Sequence, residues 1–183
     1  MPGAILKIAR MGHPVLRAKA AGVSREALAD PAFQRLVDDM IATIEDYDGA
    51  GLAAPQVHIS LRLFVVSPSI EGSTVTTPLV FVNPEVALAD AAPVEDWEGC
   101  LSMPGLTGRV PRRPDLVVRA LDRHGARIER SASAFLARVI QHEHDHLNGV
   151  LFIDRMRSLA SLRFVQSASG SLEPNSGIIR RFI

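Results

Sequence analysis

The stretch SAFLARVIQHEHDHLNG, residues 133–149, guides the interpretation of the whole sequence. Apolar residues recur along it at spacings of three and four: Phe135, Leu136, Val139 and Ile140. This spacing predicts a helix with one apolar face. Ser133 is a typical N-cap residue, and Gly149 is a typical left-handed residue at a helix end. The stretch is therefore predicted to form one amphipathic helix.

The apolar stripe continues onto three titratable residues, because steps of three and four lead to His142, Glu143 and His146. These side chains are expected on the face that packing buries. The opposite face carries polar residues and is predicted to be solvated: Arg138, Gln141, Asp145 and Asn148. Since burying unpaired His and Glu is costly, the pattern favours a functional site over a His-rich surface turn.

Residues 142–146 contain the pattern H-E-x-x-H. Two His at positions i and i+4 of a helix can reach one metal ion. Glu143 follows the first His and is placed to accept a proton from a metal-bound water rather than to bind the ion. The sequence therefore predicts a hydrolytic metal centre that uses His142 and His146.

A catalytic site of this kind typically has three protein ligands and one open position. The downstream sequence supplies no convincing third ligand, because Phe152 occupies the position of the third His of metzincins and Glu173 lies in a Ser/Gly-rich segment. The ligand is better sought upstream, where Cys100 is the single cysteine of the chain. A thiolate is a strong ligand for borderline-soft divalent metals.

The rest of the chain predicts an α+β fold. Asp30-Pro31 begins a helix over residues 31–46, and β-branched or aromatic runs predict strands at 61–67, 79–82 and 116–121, with a return strand at 126–130 after a turn. We expect short, mostly antiparallel sheets packed around a central helix that carries the H-E-x-x-H motif. We expect a single catalytic domain over residues 1–157 and a tail over 158–183, in which 166–177 form a loose segment.

Composition narrows the class of protein. Twenty basic and twenty acidic residues cancel, so no overall charge recruits nucleic acid or an anionic membrane. The sequence contains no apolar run long enough to span a bilayer, and the first residues lack the apolar core of a secretory signal. A cytoplasmic protein without membrane contact is expected.

Three separated segments resemble the peptide deformylase family, which removes the formyl group from the initiator methionine of new polypeptides. GAGLAAPQ at 49–56 is similar to the family's G-x-G-x-A-A-x-Q segment. EGCLS at 98–102 and QHEHDHL at 141–147 are similar to its E-G-C-L-S and Q-H-E-x-D-H-L segments. Their order and approximate spacing agree, and the resemblance extends from about Ile5 to Met156.

The resemblance implies the ligand set Cys100, His142 and His146, with water in the fourth position and Glu143 as the proton-transfer residue. It implies that the Gln56 amide and the Leu101 backbone N–H stabilise the oxyanion. It implies one divalent metal ion, with Fe²⁺ the most favoured and with Zn²⁺, Ni²⁺ or Co²⁺ able to substitute.

The resemblance also implies that the substrate is an N-formylmethionyl nascent peptide. It allows a transient ribosome contact without direct nucleic-acid readout. The substrate backbone is expected to pair with the segment around Gly49, Ala50 and Gly51 and to pass Gly99. Phe135, Val139 and the stem of Arg138 are candidates for the methionine pocket. Ordinary core packing is an equally good interpretation of Phe135 and Val139. A solvated surface position is an equally good interpretation of Arg138.

Two other functions are compatible with the metal motif. A different amidase or peptidase would keep H-E-x-x-H but would not need Gln56 or the Cys100 segment. A binding module derived from such an enzyme would be expected to lose Glu143 or a ligand, and none is lost. The remaining histidines are predicted to lie on the surface: His13, His58, His124 and His144. The role of Trp97 is left open.

Overall fold

Two antiparallel sheets and a set of short helices make up the computed structural model, which describes residues 3–68 and 77–165. In these ranges the α-helices are α1 (Arg25–Ala29), α2 (Pro31–Asp46), α3 (Ala134–His146) and α4 (Phe152–Arg155). The strands are β1 (Gly51–Ala53), β2 (Leu63–Val66), β3 (Leu79–Leu88), β4 (Val94–Gly99), β5 (Leu106–Arg112), β6 (Asp115–Leu121), β7 (Arg127–Ser133) and β8 (Arg163–Phe164). Short 3-10 helices occur at Pro14–Arg17, Ala54–Val57 and Leu159–Ser161. The predicted α+β class is confirmed.

The larger sheet has the strand order β1-β2-β3-β6-β7, and all neighbouring strands are antiparallel. The smaller sheet has the order β4-β5-β8 and is also antiparallel. Consequently β1 and β4 are both edge strands. An edge strand offers one row of backbone groups to another extended chain.

Helix α2 forms as predicted over residues 31–46. The Asp30 side chain accepts a hydrogen bond from the Ala32 N–H at 2.8 Å, and Pro31 occupies the first turn. Its buried face repeats at helical spacing and packs against β1 and β2: Phe33, Val37, Met40 and Ile44. Capping and periodicity agree here, so the local signals suffice.

Helix α3 begins after Ser133 and ends before Gly149, which has φ +72°. Its apolar residues Ala137, Val139 and Ile140 join a core cluster with residues of the five-stranded sheet, such as Phe64 and Phe81. The helix also packs against the edge strand β1. Its last two turns carry His142, Glu143 and His146 to this edge.

The prediction of a solvated opposite face on α3 was wrong for three of its four residues. Arg138, Gln141 and Asp145 are buried, and only Asn148 is exposed. The reason is that β4, β5 and the residues after β5 cover this side. Arg138 donates to the Val110 carbonyl, and the Gln141 amide donates to the Arg113 carbonyl, both at 2.8 Å. Charged residues can line a buried face when each has a partner.

The strand predictions were correct in place but incomplete in extent. The predicted strands at 61–67 and 79–82 appear as β2 and as the first part of the ten-residue β3. The β6–β7 hairpin follows the prediction, whereas β4 and β5 were not predicted because their sequences are polar or interrupted by Pro111.

Beyond residue 157, Arg163–Phe164 pairs with β5 at Leu106–Thr107. The predicted loose segment 166–177 lies outside the described residues, and a domain boundary at 157 stays a prediction. Among the residues that the structure describes, no helix is both long and apolar enough to cross a membrane.

Candidate metal centre

Three buried side chains from two elements converge at the end of α3. One ligand-type atom from each of Cys100, His142 and His146 lies within 4.8 Å of the other two. Cys100 directly follows β4, and both histidines lie on α3 one turn apart. The structure thus brings together the residues that the sequence indicated as ligands. Two imidazoles and one thiol are a suitable donor set for a divalent transition metal.

His142 is held in one orientation by a carboxylate. Its Nδ1 lies 3.0 Å from Glu98 Oε2, and its buried Nε2 has no hydrogen-bond partner among the described residues. Burial by itself would raise the pKa of Glu98. Arg112, together with the hydrogen bonds from His142 and Arg112, outweighs burial and holds that pKa well below its usual range. An ionised Glu98 accepts the Nδ1–H and leaves the Nε2 lone pair for a metal.

His146 and Cys100 face each other, with His146 Nε2 at 3.3 Å from Cys100 Sγ. Burial, followed by the neighbouring His142, lowers the pKa of His146 well below its usual value, so the imidazole is neutral and able to ligate. Burial raises the pKa of the Cys100 thiol to about 12. A thiolate is therefore stable here only beside a compensating cation. The residues present fit a bound divalent ion on these grounds.

Glu143 is fully buried beside the cluster, and neither of its carboxyl oxygens has a hydrogen-bond partner in residues 3–68 and 77–165. Burial, followed by the negative charge of Glu98, raises the pKa of Glu143 well above its usual value. Its carboxyl group lies against β1, since a Cβ added to Gly51 would stand 2.4 Å from Glu143 Oε1. Glycine at position 51 makes room for this carboxyl group.

Gln56 lies in the 3-10 helix that follows β1, and its side chain is buried. Its Oε1 accepts the Ala53 N–H at 2.8 Å, which turns Nε2 toward the site. Nε2 lies 3.5 Å from both Cys100 Sγ and Ser102 Oγ. The amide donor is therefore directed at the candidate ligands, on the side of Cys100. The next residue after the thiol, Leu101, is also buried.

The predicted substrate segments lie around this cluster. Gly49 and Ala50 lead into β1, and Gly99 ends β4 beside Cys100. A Cβ on Gly49 would stand 3.4 Å from Leu101 Cδ1, so the two edge segments approach each other at the site. Val139 is fully buried in the core cluster under α3, and Phe135 packs against that cluster while remaining partly exposed.

Sequence reasoning missed the charged residues behind the ligands. Glu98, Arg112, Arg138 and Asp145 are buried and joined by ion pairs. A signal was available in two of the motifs, which contain Glu98 and Asp145. Glu98 had been given no role, and Asp145 had been placed on the solvated face of the helix.

Of the four histidines that were predicted to lie on the surface, three are exposed. His13, His58 and His124 are exposed, while His144 is half-buried beside Arg62. Trp97 is half-buried with the Arg163 guanidinium 3.9 Å above its ring centre.

Comparison with known proteins bears directly on this site. A profile of the family described as polypeptide deformylase matches residues 5–161. Peptide deformylase 2 of Nostoc sp. is 44% identical over 158 residues, which cover 84% of this chain and 87% of that protein. The peptide deformylase of Clostridium botulinum is 46% identical over 152 residues, which cover 83% of this chain and 97% of that protein.

Solved structures agree with the sequence relatives. The class I type b peptide deformylase of Acinetobacter baumannii, crystallised with Met-Ala-Ser, has a TM-score of 0.79 and 36% identity, covering 85% of this chain and 100% of that chain. A peptide deformylase from Legionella pneumophila has a TM-score of 0.77 and 40% identity, covering 85% of this chain and 88% of that chain. The resemblance read from three motifs is confirmed, and the chain belongs to the polypeptide deformylase family.

Proposed function

We propose that this protein removes the N-formyl group from the N-terminal methionine of newly made polypeptides and releases formate. Family membership supports the reaction. The observation that carries the proposal for this chain is the buried cluster of Cys100, His142 and His146 with the unpaired carboxyl group of Glu143 beside it. This combination suits hydrolysis of an amide-type bond.

Cys100, His142 and His146 would hold one divalent ion, with α3 as the central helix that supplies both imidazoles. The ion would polarise the formyl carbonyl and lower the pKa of a bound water molecule. The neutral state of His146 and the Glu98-directed tautomer of His142 support this ligand set. Three ligands would leave one position for the reactants.

Glu143 would accept the proton of the attacking water and deliver it to the departing amine. Its burial supports this role, because a carboxyl group with a raised pKa can take up and release a proton nearer to neutral pH. Its two oxygens also support the role, since neither makes a hydrogen bond of normal length and angle within the described residues.

Gln56 and the Leu101 backbone N–H would stabilise the negative charge that develops on the formyl oxygen. The fixed orientation of Gln56 supports its part, because the bond from Ala53 to Oε1 leaves the NH₂ group as the end that faces the cluster. A donor held before the reaction begins loses no free energy to reorientation.

The substrate backbone would add a strand beside β1, along Gly49, Ala50 and Gly51, and would run past Gly99 at the end of β4. The edge position of both strands supports this proposal. Main-chain pairing also suits substrates whose later residues vary. The methionine side chain would contact Phe135 and Val139 on α3, of which Phe135 is the more accessible.

We further propose that Fe²⁺ is the working metal and that Zn²⁺, Ni²⁺ or Co²⁺ can replace it. The family resemblance supports this assignment, although the donor set of one thiolate and two imidazoles would by itself accept Zn²⁺ readily. Iron-bound thiolate is also open to oxidation. We place the reaction in the cytoplasm, on peptides emerging from a ribosome that the enzyme contacts transiently.

The deciding experiment measures formate release from formyl-Met-Ala-Ser under low oxygen, using separate Fe²⁺, Ni²⁺ and Zn²⁺ preparations. The proposed function predicts release by the Fe²⁺ and Ni²⁺ forms, little release by Cys100→Ser, and faster loss of the Fe²⁺ form in air. Absence of formate from every loaded form would contradict the proposed reaction. Equal air stability of the Fe²⁺ and Ni²⁺ forms, with the Zn²⁺ form most active, would contradict the iron assignment alone.

A further inference from the structure

A chain of buried ion pairs lies next to the proposed metal ligands Cys100, His142 and His146. It contains Glu98 on β4, Arg112 on β5, and Arg138 and Asp145 on α3, and it ends at Arg155 on α4. The first four side chains are almost fully buried, whereas the Arg155 side chain is 50% exposed. Two carboxylates and two guanidinium groups balance in the buried part, which is a condition for keeping such groups charged inside a protein.

Arg112 is the member that contacts both carboxylates. Its Nε and Nη2 donate to the two oxygens of Glu98 at 2.8 and 3.0 Å. Its Nη1 donates to Asp145 Oδ2 at 2.6 Å. A planar guanidinium can make this forked contact and still direct a third donor elsewhere, which an ammonium group cannot do.

The two carboxylates lie next to the ligands on separate elements. Glu98 is two residues before Cys100 and also accepts the hydrogen bond from His142 Nδ1. Asp145 directly precedes His146 on α3. Arg112 thus joins the segment that carries the thiol to the helix that carries both imidazoles.

We infer that Arg112 is a positioning residue that fixes β4 against α3 and so assembles the three metal ligands before a metal binds. The inference rests on the ligand set in the proposed function. In the described residues Arg112 makes its side-chain hydrogen bonds to Glu98 and Asp145 and none to a proposed ligand, so it would act through these two carboxylates. Partners one step behind the ligands typically change metal affinity by about 10–100-fold when they are altered.

Arg138 provides a matched comparison. It also donates to Glu98 Oε1 at 2.8 Å, but its other bonds go to the carbonyls of Val110 and Val94. It makes no hydrogen bond to Asp145 in the part of the chain that the structure describes. Arg138, which itself lies on α3, also ties this helix to β4, but it does so without Asp145. Of these two arginines, only Arg112 should therefore be energetically coupled to Asp145.

The test measures the affinity of metal-free protein for Co²⁺ by chelator competition, followed at the thiolate-to-cobalt charge-transfer band. The variants are Arg112→Lys, Arg138→Lys and Asp145→Asn, together with the two double variants that contain Asp145→Asn. All measurements are made well below the unfolding temperature of each protein, so that loss of fold does not contribute.

Arg112→Lys should weaken Co²⁺ binding by about 10–100-fold. The double variant Arg112→Lys with Asp145→Asn should bind Co²⁺ little more weakly than whichever single variant binds it more weakly. The reason is that both substitutions break the same contact. The effects of Arg138→Lys and Asp145→Asn should instead multiply. An Arg112→Lys affinity within about twofold of wild type, or effects that multiply with Asp145→Asn, would overturn the inference.

If Arg112→Lys does not fold, the bridge can be cut from its other end. Asp145→Asn should then weaken Co²⁺ binding more than Arg155→Lys, which leaves the contact between Arg112 and Asp145 intact. Equal effects of these two variants would overturn the inference. A wild-type protein that binds no Co²⁺ would overturn the proposed ligand set itself, and the two failures are therefore distinguishable.

Discussion

At the scale of single residues, Glu143 is unusual because a fully buried carboxyl group has no hydrogen-bond partner among the described residues. Burying a carboxyl group without a hydrogen-bond partner lowers the stability of the folded state, so Glu143 is not explained by a structural role. Glu143→Ala should therefore leave the free energy of unfolding unchanged or raise it. The same variant should lower kcat by about 10²–10⁴ if Glu143 transfers the proton.

This prediction is checked by measuring metal content, thermal unfolding and formate release on the same preparations. Glu129→Ala, at an exposed ion pair with Arg119, is the control and should behave like wild type. A Glu143→Ala protein that loses its metal, but becomes fully active after the metal is restored, would remove Glu143 from the proton-transfer role.

In the proposed function Gln56 has two tasks, and two measurements on one variant can separate them. Gln56→Leu removes the amide donor directed at the site and also the acceptor of the Ala53 N–H. We expect kcat to fall by about 10²–10³, the usual loss for one oxyanion donor. The buried N–H left without a partner should cost about 1–3 kcal/mol of folding free energy, measured by urea unfolding. If KM alone changed, Gln56 would be a binding residue instead.

Gly51 gives a steric prediction with a matched control two residues away. A Cβ at position 51 would meet the Glu143 side chain at 2.4–2.8 Å, whereas a Cβ at position 49 would come no closer than 3.3 Å to its neighbours. Gly51→Ala should therefore displace Glu143 and lower kcat by about 10². Gly49→Ala should retain most of the wild-type kcat. A rise in KM alone in Gly51→Ala would point to substrate pairing rather than to displacement of Glu143.

The candidate ligands and the candidate proton-transfer residue could be predicted because each is marked by a local sequence pattern. His142, Glu143 and His146 form one pattern on one helix face, and Cys100 has no competitor as the single cysteine. Arg112 carries no such signal. Its importance comes from two partners, 14 and 33 positions away in the chain, that only the tertiary fold brings together.

At the scale of elements, the end of α3 depends on Gly149. This residue has φ +72°, and a Cβ there would stand 2.5 Å from the Arg17 carbonyl oxygen. Gly149→Ala should lower the free energy of unfolding by about 3 kcal/mol, because backbone strain and a collision with main-chain atoms act together. Urea denaturation followed by circular dichroism measures this change.

Gly12→Ala is the matched control for the strain alone. Gly12 has φ +101°, and an added Cβ would meet nothing within 4 Å. Its loss of folding free energy should be about 1 kcal/mol. Equal losses at the two positions would show that φ alone sets the cost and that the contact with Arg17 relaxes without penalty.

Elements with strong local signals were predicted well, and those without were not. Helix α2 combines an N-cap, a proline in the first turn and a regular apolar stripe, so residues 31–46 were predicted correctly. Strands β4 and β5 contain charged residues on their buried sides, namely Glu98 and Arg112. Those residues are stable inside only because they pair with each other and with α3, which no local pattern reports.

The same pairing explains the error on α3. The polar face was interpreted as solvated because Arg and Asp are seldom buried without partners. The second sheet supplies those partners, so the helix is covered on both sides. A helix whose polar face carries a buried ion network cannot be distinguished from a surface helix by periodicity alone.

At the scale of the whole molecule, the proposed metal would act as a cross-link. Its ligands lie on the loop after β4 and on α3, and Cys100 is separated from His142 by 41 intervening residues. Because the ligands belong to both packing layers, a bound ion would connect the two sheets through α3. Binding that occurs only in the folded state stabilises it by an amount that depends on metal concentration.

The last prediction follows from this linkage. With free metal at about 100 times its dissociation constant, the folded state gains about 2.7 kcal/mol. For a domain of this size that gain corresponds to a rise in Tm of roughly 5–11 °C. Removing the metal with a chelator should therefore lower the Tm of the wild-type protein by this amount, as measured by scanning calorimetry.

Cys100→Ser should lose most of this metal-dependent shift, because a hydroxyl is a weaker ligand than a thiolate for a borderline-soft ion. Its metal-free Tm should stay close to that of the metal-free wild type, since Ser is nearly isosteric with a buried thiol. Glu129→Gln, at the exposed pair with Arg119, should retain the full shift. If chelation left the wild-type Tm unchanged, or if Cys100→Ser kept the whole shift, Cys100 would not be a ligand, and the stability of the centre would come from the ion network behind it.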